Sequence, residues 1–244
     1  MKIAVIGGTG LIGSQVVEIL TAQGHDAVPH SPSTGLDLLT GTGLPEALAS
    51  ADVVVNLTNS PTFDDASPAF FRTSMDNLMA AARAAGVGHA VILSIVGVDQ
   101  VPGLVYYQAK ALQEELLKNG GVPYSIVRAT QFFEFMDAAM SWTADADTVR
   151  LPATPIQPMA AADVARAVAE VAAGAPLEGI RNVAGPDVFT LDELGRITLA
   201  ARGDKRSVTT DPTAGMFAAV PGDVLVAPQD AVIAQTHYRD WLAK

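Results

Sequence analysis

Two hydrophobic periods alternate along the first half of the chain. Continuous apolar runs occur at Ile3–Ile6, Asp52–Leu57 ("DVVVNL"), His89–Gly97 ("HAVILSIVG") and Tyr124–Ala129 ("YSIVRA"). Runs of that length and composition predict strands covered on both faces. Asp26–Pro29 predicts one more strand. Between them the apolar residues fall at helical spacing. Leu11, Ile12, Val16, Ile19 and Leu20 form one helical face that Gly24 ends. Further helices are expected over Leu44–Ser50, over Pro68–Ala85 up to Gly86, and over Leu104–Lys118 before Gly120–Gly121. Strand and helix in strict alternation predict an α/β fold, a doubly wound parallel sheet with right-handed crossovers.

After about Gln131 the rhythm loosens. "PATPIQP" (Pro152–Pro158) reads as an extended connection and Ala161–Ala173 as an alanine-rich helix. Thr190-Leu-Asp-Glu193 fits a capping box. The closing "AQTHYRDWLA" reads as a surface helix burying Tyr238, Trp241 and Leu242. One domain over residues 1–244 is expected, with 1–130 as a cofactor-binding core and 131–244 as a small substrate-side lobe with closing helices.

Composition narrows the function classes. Hydrophobic residues make up 49% of the 244, enough for a buried core. The net charge of −11 repels phosphate backbones, so nucleic acid is not an expected partner. The longest apolar runs are strand-sized, which argues against a membrane span. One lysine precedes the first strand, unlike a signal peptide, and the cytoplasm is the expected location. The absence of cysteine excludes thiolate metal sites and cysteine nucleophiles. His25, His89 and His237 are scattered, so no metal site is expected, and no GxSxG elbow is present.

The first strand runs into Gly7-Gly8-Thr9-Gly10-Leu11-Ile12-Gly13, a GxxGxxG turn opening a helix. Gly7 allows the sharp turn, Gly10 clears room for a pyrophosphate, and Gly13 lets helix and strand pack closely. The helix N-terminus attracts the anion. This context points to NADP or NAD in a Rossmann-like fold. The second strand ends "AVPHSPSTG" with no carboxylate at that end, since Asp26 opens the strand. His30, Ser31, Ser33 and Thr34 could bond a 2′-phosphate, which favours NADP, although no Arg or Lys is present and His30 reads equally as a loop residue. Asp37 and Leu38 follow near the expected path of the adenine, where Asp37 either accepts from its amino group or caps a turn.

A second constellation lies in "LSIVGVDQVPGLVYYQAK". Ser94 sits late in a strand, and Tyr106 and Lys110 are four apart on one helix face. A phenol titrates near 10, and a neighbouring ammonium with an oxidised nicotinamide would lower it. Tyr106 could then exchange a proton with a substrate oxygen held by Ser94, while Lys110 also holds the nicotinamide ribose. Arg128, inside an apolar strand, is either paired within the structure, which we favour, or placed near the ligand edge. Phe132, Phe133, Phe135 and Met136 read as core and lid packing or as an apolar pocket wall.

GGTGLIG, "VVVNL", Ser94, YYQAK and "IVRATQFFEF" together resemble the short-chain dehydrogenase/reductase superfamily, and most nearly its atypical, NmrA-like NAD(P)-binding branch. "IQPMAAADVARAV" and "NVAGPDVFTLDEL" extend the likeness over most of the chain. The resemblance implies a pyrophosphate turn at Gly7, Thr9, Gly10, Leu11, Ile12 and Gly13, with Leu57 and Thr58 beside the adenine ribose. It implies Ser94, Tyr106 and Lys110 as catalytic residues, and Thr130, Gln131 and Phe132 bordering nicotinamide and substrate. The asparagine that many members use to hold a relay water is missing, since Asn77 matches a structural position instead. The expected activity is an NAD(P)-dependent oxidoreductase acting on a carbonyl or quinone-like group of a small, largely apolar substrate. The alternatives are a non-catalytic redox sensor, as in NmrA-like proteins that lack the tyrosine, and a nicotinamide-dependent epimerase or dehydratase.

Overall fold

A computed structural model describes all residues, Met1–Lys244. In chain order the elements are β1 (Lys2–Ile6), α1 (Leu11–Ala22), β2 (Asp26–His30), α2 (Leu44–Leu48), β3 (Val53–Asn56), α3 (Ser67–Ala85), β4 (His89–Ile95), α4 (Val105–Lys118) and β5 (Tyr124–Ala129). There follow α5 (Met136–Ser141), β6 (Thr148–Leu151), β7 (Pro155–Ile156), α6 (Ala161–Ala173), β8 (Gly179–Ala184), β9 (Phe189–Thr190), α7 (Leu191–Ala201), β10 (Ser207–Thr210), β11 (Val232–Ile233) and α8 (Tyr238–Leu242). The main sheet is parallel and seven-stranded, in the order β11-β8-β5-β4-β3-β1-β2. This is the doubly wound α/β fold that the alternating pattern predicts.

The chain divides into two compact units. The first comprises Met1–Ser94, Val105–Arg128 and Val164–Arg181. Its strands β1, β3 and β4 are almost wholly buried, as continuous apolar runs require. β1 pairs in parallel with β2 on one side and β3 on the other, Ile6 standing opposite His30 and Asn56. The chain therefore reverses its direction of travel across the sheet between β1 and β3. Ligands of open α/β sheets bind outside the carboxyl ends of the strands at such a switch point. Ile6, Leu48, Val54, Met75, Leu78, Ile92 and Leu117 belong to one core cluster of this unit, joined by Leu36 and Leu38. Asn77 Nδ2 donates to the carbonyls of Leu38 (2.8 Å) and Leu39 (3.1 Å), a structural role.

Helix α4 breaks the usual amphipathic rule. Its buried stripe holds Tyr106, Tyr107, Ala109, Lys110, Gln113, Glu114 and Leu117. Three polar side chains thus lie where a core-facing helix normally carries only apolar ones. Each needs internal partners, because an unpaired buried polar or charged group is strongly destabilising.

The second unit comprises Ile95–Leu104, Ala129–Asp163 and Asn182–Lys244. It contains the parallel pair β6–β10 and the antiparallel pair β7–β9. Tyr238 is fully buried, stacks on Trp241 and bonds Thr198 Oγ1 through its hydroxyl at 2.6 Å. Trp241 and Leu242 are half-buried. The capping box expected at Thr190 does not form: Thr190 is the N-cap of α7 but caps no backbone N–H with its side chain. The N–H groups of Leu191 and Asp192 donate instead to the carbonyls of Thr154 (2.9 Å) and Pro152 (3.2 Å), so the extended Pro152–Pro158 segment caps this helix. No helix of the chain is long and apolar enough to cross a membrane.

Candidate active site

The glycine turn is built by close backbone approach. Gly7 has φ +79°, and a Cβ there would lie 3.0 Å from the Leu57 carbonyl carbon and 3.2 Å from the Thr58 nitrogen. A Cβ on Gly13 would fall 2.1 Å from the Gly7 oxygen and 2.7 Å from the Gly8 Cα. Gly7 and Gly8 donate their N–H groups to the His30 carbonyl, at 2.8 and 3.2 Å, clamping the turn to the end of β2. Gly10 is the N-cap of α1 and has no side chain with which to cap it. The N–H groups of Leu11, Ile12 and Gly13 have no acceptor within the helix and lie at its positive end. Thr9, Gly10 and Leu11 are exposed. The cradle fits a pyrophosphate.

The tip of β3 forms the other side of this cradle. Asn56 Oδ1 accepts from the Thr58 N–H at 3.0 Å and from Thr58 Oγ1 at 2.7 Å, which fixes the Leu57–Thr58 loop against Gly7. One residue further on, Asn59 Oδ1 accepts a 2.7 Å hydrogen bond from the Tyr106 hydroxyl. The pyrophosphate turn, the β3 tip and the candidate tyrosine are therefore in continuous contact. Nothing in the sequence pattern singled out Asn59. Its only signal is the missing relay asparagine on α3, a vacancy that invites a search nearby.

Each of the three candidate catalytic side chains is bonded to something other than the other two. Ser94 Oγ donates to Glu114 Oε1 at 2.6 Å. Glu114 is buried and paired with Arg128, which donates from Nε (2.8 Å) and Nη2 (2.7 Å), so Arg128 is a structural ion-pair partner. Lys110 Nζ donates to the Leu93 carbonyl at 2.7 Å and to Gln113 Oε1 at 2.5 Å, and lies 5.0 Å from the centre of the Phe71 ring.

Burial governs the electrostatics. Removal from water pushes the Tyr106 phenol up to about 12, with the Asn59 hydrogen bond opposing the rise. The depression expected from Lys110 is absent, because burial also lowers that ammonium to about 7, with Glu114 pulling the other way. At neutral pH Tyr106 holds its proton, while Lys110 is only partly charged.

The segment after β2 is a self-contained turn. Ser31 and Thr34 bond each other's backbone, and Ser31 Oγ pairs with Ser33 Oγ at 2.8 Å. His30 is pushed down by burial and then by Lys2, and its Nε2 is buried without a partner. Asp37 Oδ1 accepts from the Leu39 N–H at 2.8 Å, and Leu38 is buried in the core cluster. Asp37 thus caps a turn through Oδ1, and Leu38 packs in the core. In the second unit Thr130 is buried, its Oγ1 unpartnered, and its N–H donates to the Val183 carbonyl at 3.2 Å. Gln131 accepts from the Met159 N–H at 2.9 Å, and Phe132 is extended and half-buried.

A doubly wound sheet with a glycine cradle at its switch point defines a Rossmann-type dinucleotide-binding protein. The NAD(P)H-binding family matches residues 7–174, more than half of the chain, and the chain belongs to that family. It is 29% identical over 213 residues to a (4-alkanoyl-5-oxo-2,5-dihydrofuran-3-yl)methyl phosphate reductase of Streptomyces griseus, covering 78% of this chain and 70% of the relative. Among solved structures it resembles the dTDP-4-dehydrorhamnose reductase of Bacillus anthracis in complex with NADP (TM-score 0.74, 16% identity, 99% and 97% of the two chains). It also resembles the NADPH-dependent quinone oxidoreductase QOR2 of Escherichia coli in complex with NADPH (TM-score 0.68, 23% identity, 86% and 78%). The family match bears out NAD(P) as the cofactor, and the solved structures bear out the Rossmann-like fold.

Proposed function

We propose that the protein is an NAD(P)H-dependent reductase that delivers a hydride and a proton to a carbonyl or quinone-like group on a small, largely apolar molecule. The observation that carries this reading is the chain of contacts from the glycine cradle through Leu57, Thr58 and Asn59 to a buried, protonated Tyr106. The nicotinamide, when bound, supplies the hydride. Tyr106 supplies the proton to the substrate oxygen: burial keeps the phenol protonated at neutral pH, and the same burial makes it a weaker acid than a free phenol. The Ser94 hydroxyl donates its hydrogen bond to Glu114, so what it offers the site is its acceptor lone pairs. Lys110 ties α4 to β4 through the Leu93 carbonyl and so positions Tyr106. The curated relative named as a reductase supports the same class.

We propose NADP over NAD on the absence of a carboxylate at the carboxyl end of β2, where a 2′-phosphate would meet the Ser33 hydroxyl and a neutral His30.

A cofactor sensor without turnover is the competing reading, favoured by the internal bonding of Ser94 and Lys110. Titration of the purified protein with NADPH and NADH, followed by a carbonyl and quinone screen on wild type and Tyr106→Phe, separates the two. A reductase binds NADPH more tightly, and Tyr106→Phe loses about 10²–10⁴-fold in turnover with cofactor affinity unchanged. Tight cofactor binding without turnover of any acceptor supports the sensor.

A further inference from the structure

Phe63 is 46% exposed, and its ring packs on Tyr106 at a centroid distance of 4.7 Å and an interplanar angle of 72°. The turn that presents it is firmly tied. Asp64 Oδ1 accepts from Thr62 Oγ1 at 2.7 Å and from the Ala66 N–H at 3.0 Å. The buried Ser67 hydroxyl donates to the Thr62 carbonyl at 2.7 Å and pairs with Ser60 Oγ at 3.1 Å. Between Thr62 and Ser67 every other side chain is polar or small. A rigid polar turn thus holds one large apolar ring half in solvent, edge to face with a buried tyrosine. The ring packs one side on Tyr106 and leaves nearly half of its surface to solvent.

We propose that Phe63 is a specificity-determining residue, a stacking wall beside Tyr106 that selects planar, conjugated ring carbonyl compounds over open-chain aliphatic carbonyls. This rests on the reading of Tyr106 as the proton donor. A molecule that offers an oxygen to the Tyr106 hydroxyl comes up beside the Phe63 ring. A flat π-system gains there from offset or edge-to-face contact, which a flexible alkyl chain cannot reproduce. The turn needs no rearrangement to present the ring, so little ordering is required on binding.

The test measures binding, which does not depend on turnover. Wild type, Phe63→Ala, Phe63→Leu and Tyr106→Phe, each saturated with NADP⁺, are titrated by calorimetry with 1,4-naphthoquinone and with 2-decanone. The chain has no cysteine for the quinone to alkylate. Phe63→Ala is expected to weaken naphthoquinone binding by about tenfold and to leave 2-decanone unchanged. Phe63→Leu keeps apolar bulk and still loses most of the quinone preference. The proposal is overturned if naphthoquinone fails to bind wild type, binds Phe63→Ala equally well, or weakens in step with 2-decanone. The reductase reading fails on a different observation: intact quinone turnover in Tyr106→Phe, or quinone binding to wild type with no NADPH consumption.

Discussion

Ser94 donates its only hydroxyl hydrogen to Glu114 across 2.6 Å, and Glu114 is held in turn by Nε and Nη2 of Arg128. The serine is thereby turned from a candidate donor into an acceptor. A buried carboxylate on α4, an arginine on β5 and a serine on β4 form one network behind the site.

That network predicts a stability effect. Glu114→Ala removes the buried carboxylate to which the Arg128 guanidinium, only 11% exposed, donates from Nε and Nη2. Breaking a buried pair from one side costs about 3–5 kcal/mol. Urea unfolding should show that loss for Glu114→Ala and a smaller one for the double change Glu114→Leu with Arg128→Met. Equal losses would mean that the pair is not what stabilises this part of the sheet.

Asn59 predicts a rate effect. Its Oδ1 accepts the Tyr106 hydroxyl hydrogen and so fixes where the phenol points. Asn59→Ala should release the orientation of the Tyr106 hydroxyl and lower kcat by roughly tenfold, the worth of one such hydrogen bond, with KM little changed. A change confined to KM would place Asn59 in binding alone.

Lys110 predicts a pH dependence of stability with a definite sign. Its amine is held down to about 7 from an ordinary value of 10.5. Between those two values the unfolded chain carries the proton and the folded one does not. Stability therefore rises with pH through that window, by up to about 1.4 kcal/mol per pH unit from this group. Below it both states are protonated and the full burial penalty applies. Lys110→Met should flatten the rise when unfolding midpoints are compared from pH 6.5 to 9.5; parallel curves for the two proteins would refute the assignment.

Gly13→Ala predicts loss of cofactor binding. The added methyl would meet the Gly7 oxygen and Gly8 Cα, both backbone atoms that cannot swing aside. The turn must open, and NADPH affinity measured by calorimetry should fall at least about 100-fold, whereas Gly88→Ala, where a Cβ meets only the Asp52 oxygen at 3.6 Å, should leave it unchanged.

Much of the fold was legible because burial on both faces writes itself as unbroken apolar runs. Tyr124–Ala129 and Ala161–Ala173 lie at the bounds that the sequence predicts. The expected second strand, Asp26–Pro29, runs one residue further to His30. The short strands β6, β7, β9, β10 and β11 were not legible, since two to four residues carry too little period to read. The candidate side chains could be picked out by type and spacing, but their bonding could not. Glu114 sits in "QEELLK", which looks like a solvated face, and only the lone Arg128 in an apolar strand hinted that a carboxylate would be drawn inside. The capping box at Thr190 misled because a local motif cannot reveal a distant backbone that reaches the helix end first.

The three-piece make-up of the first unit bears on how the chain leaves the ribosome. Residues 164–181 belong to it, yet they emerge after 95–104 and 129–163, which go to the other unit. The early strands must therefore wait, with apolar faces open, until the segment ending at Arg181 has been synthesised. Contacts of such long sequence separation slow folding and lengthen exposure to aggregation. Slowing translation upstream of Val164 should thus lower soluble yield more than the same delay placed after Arg181.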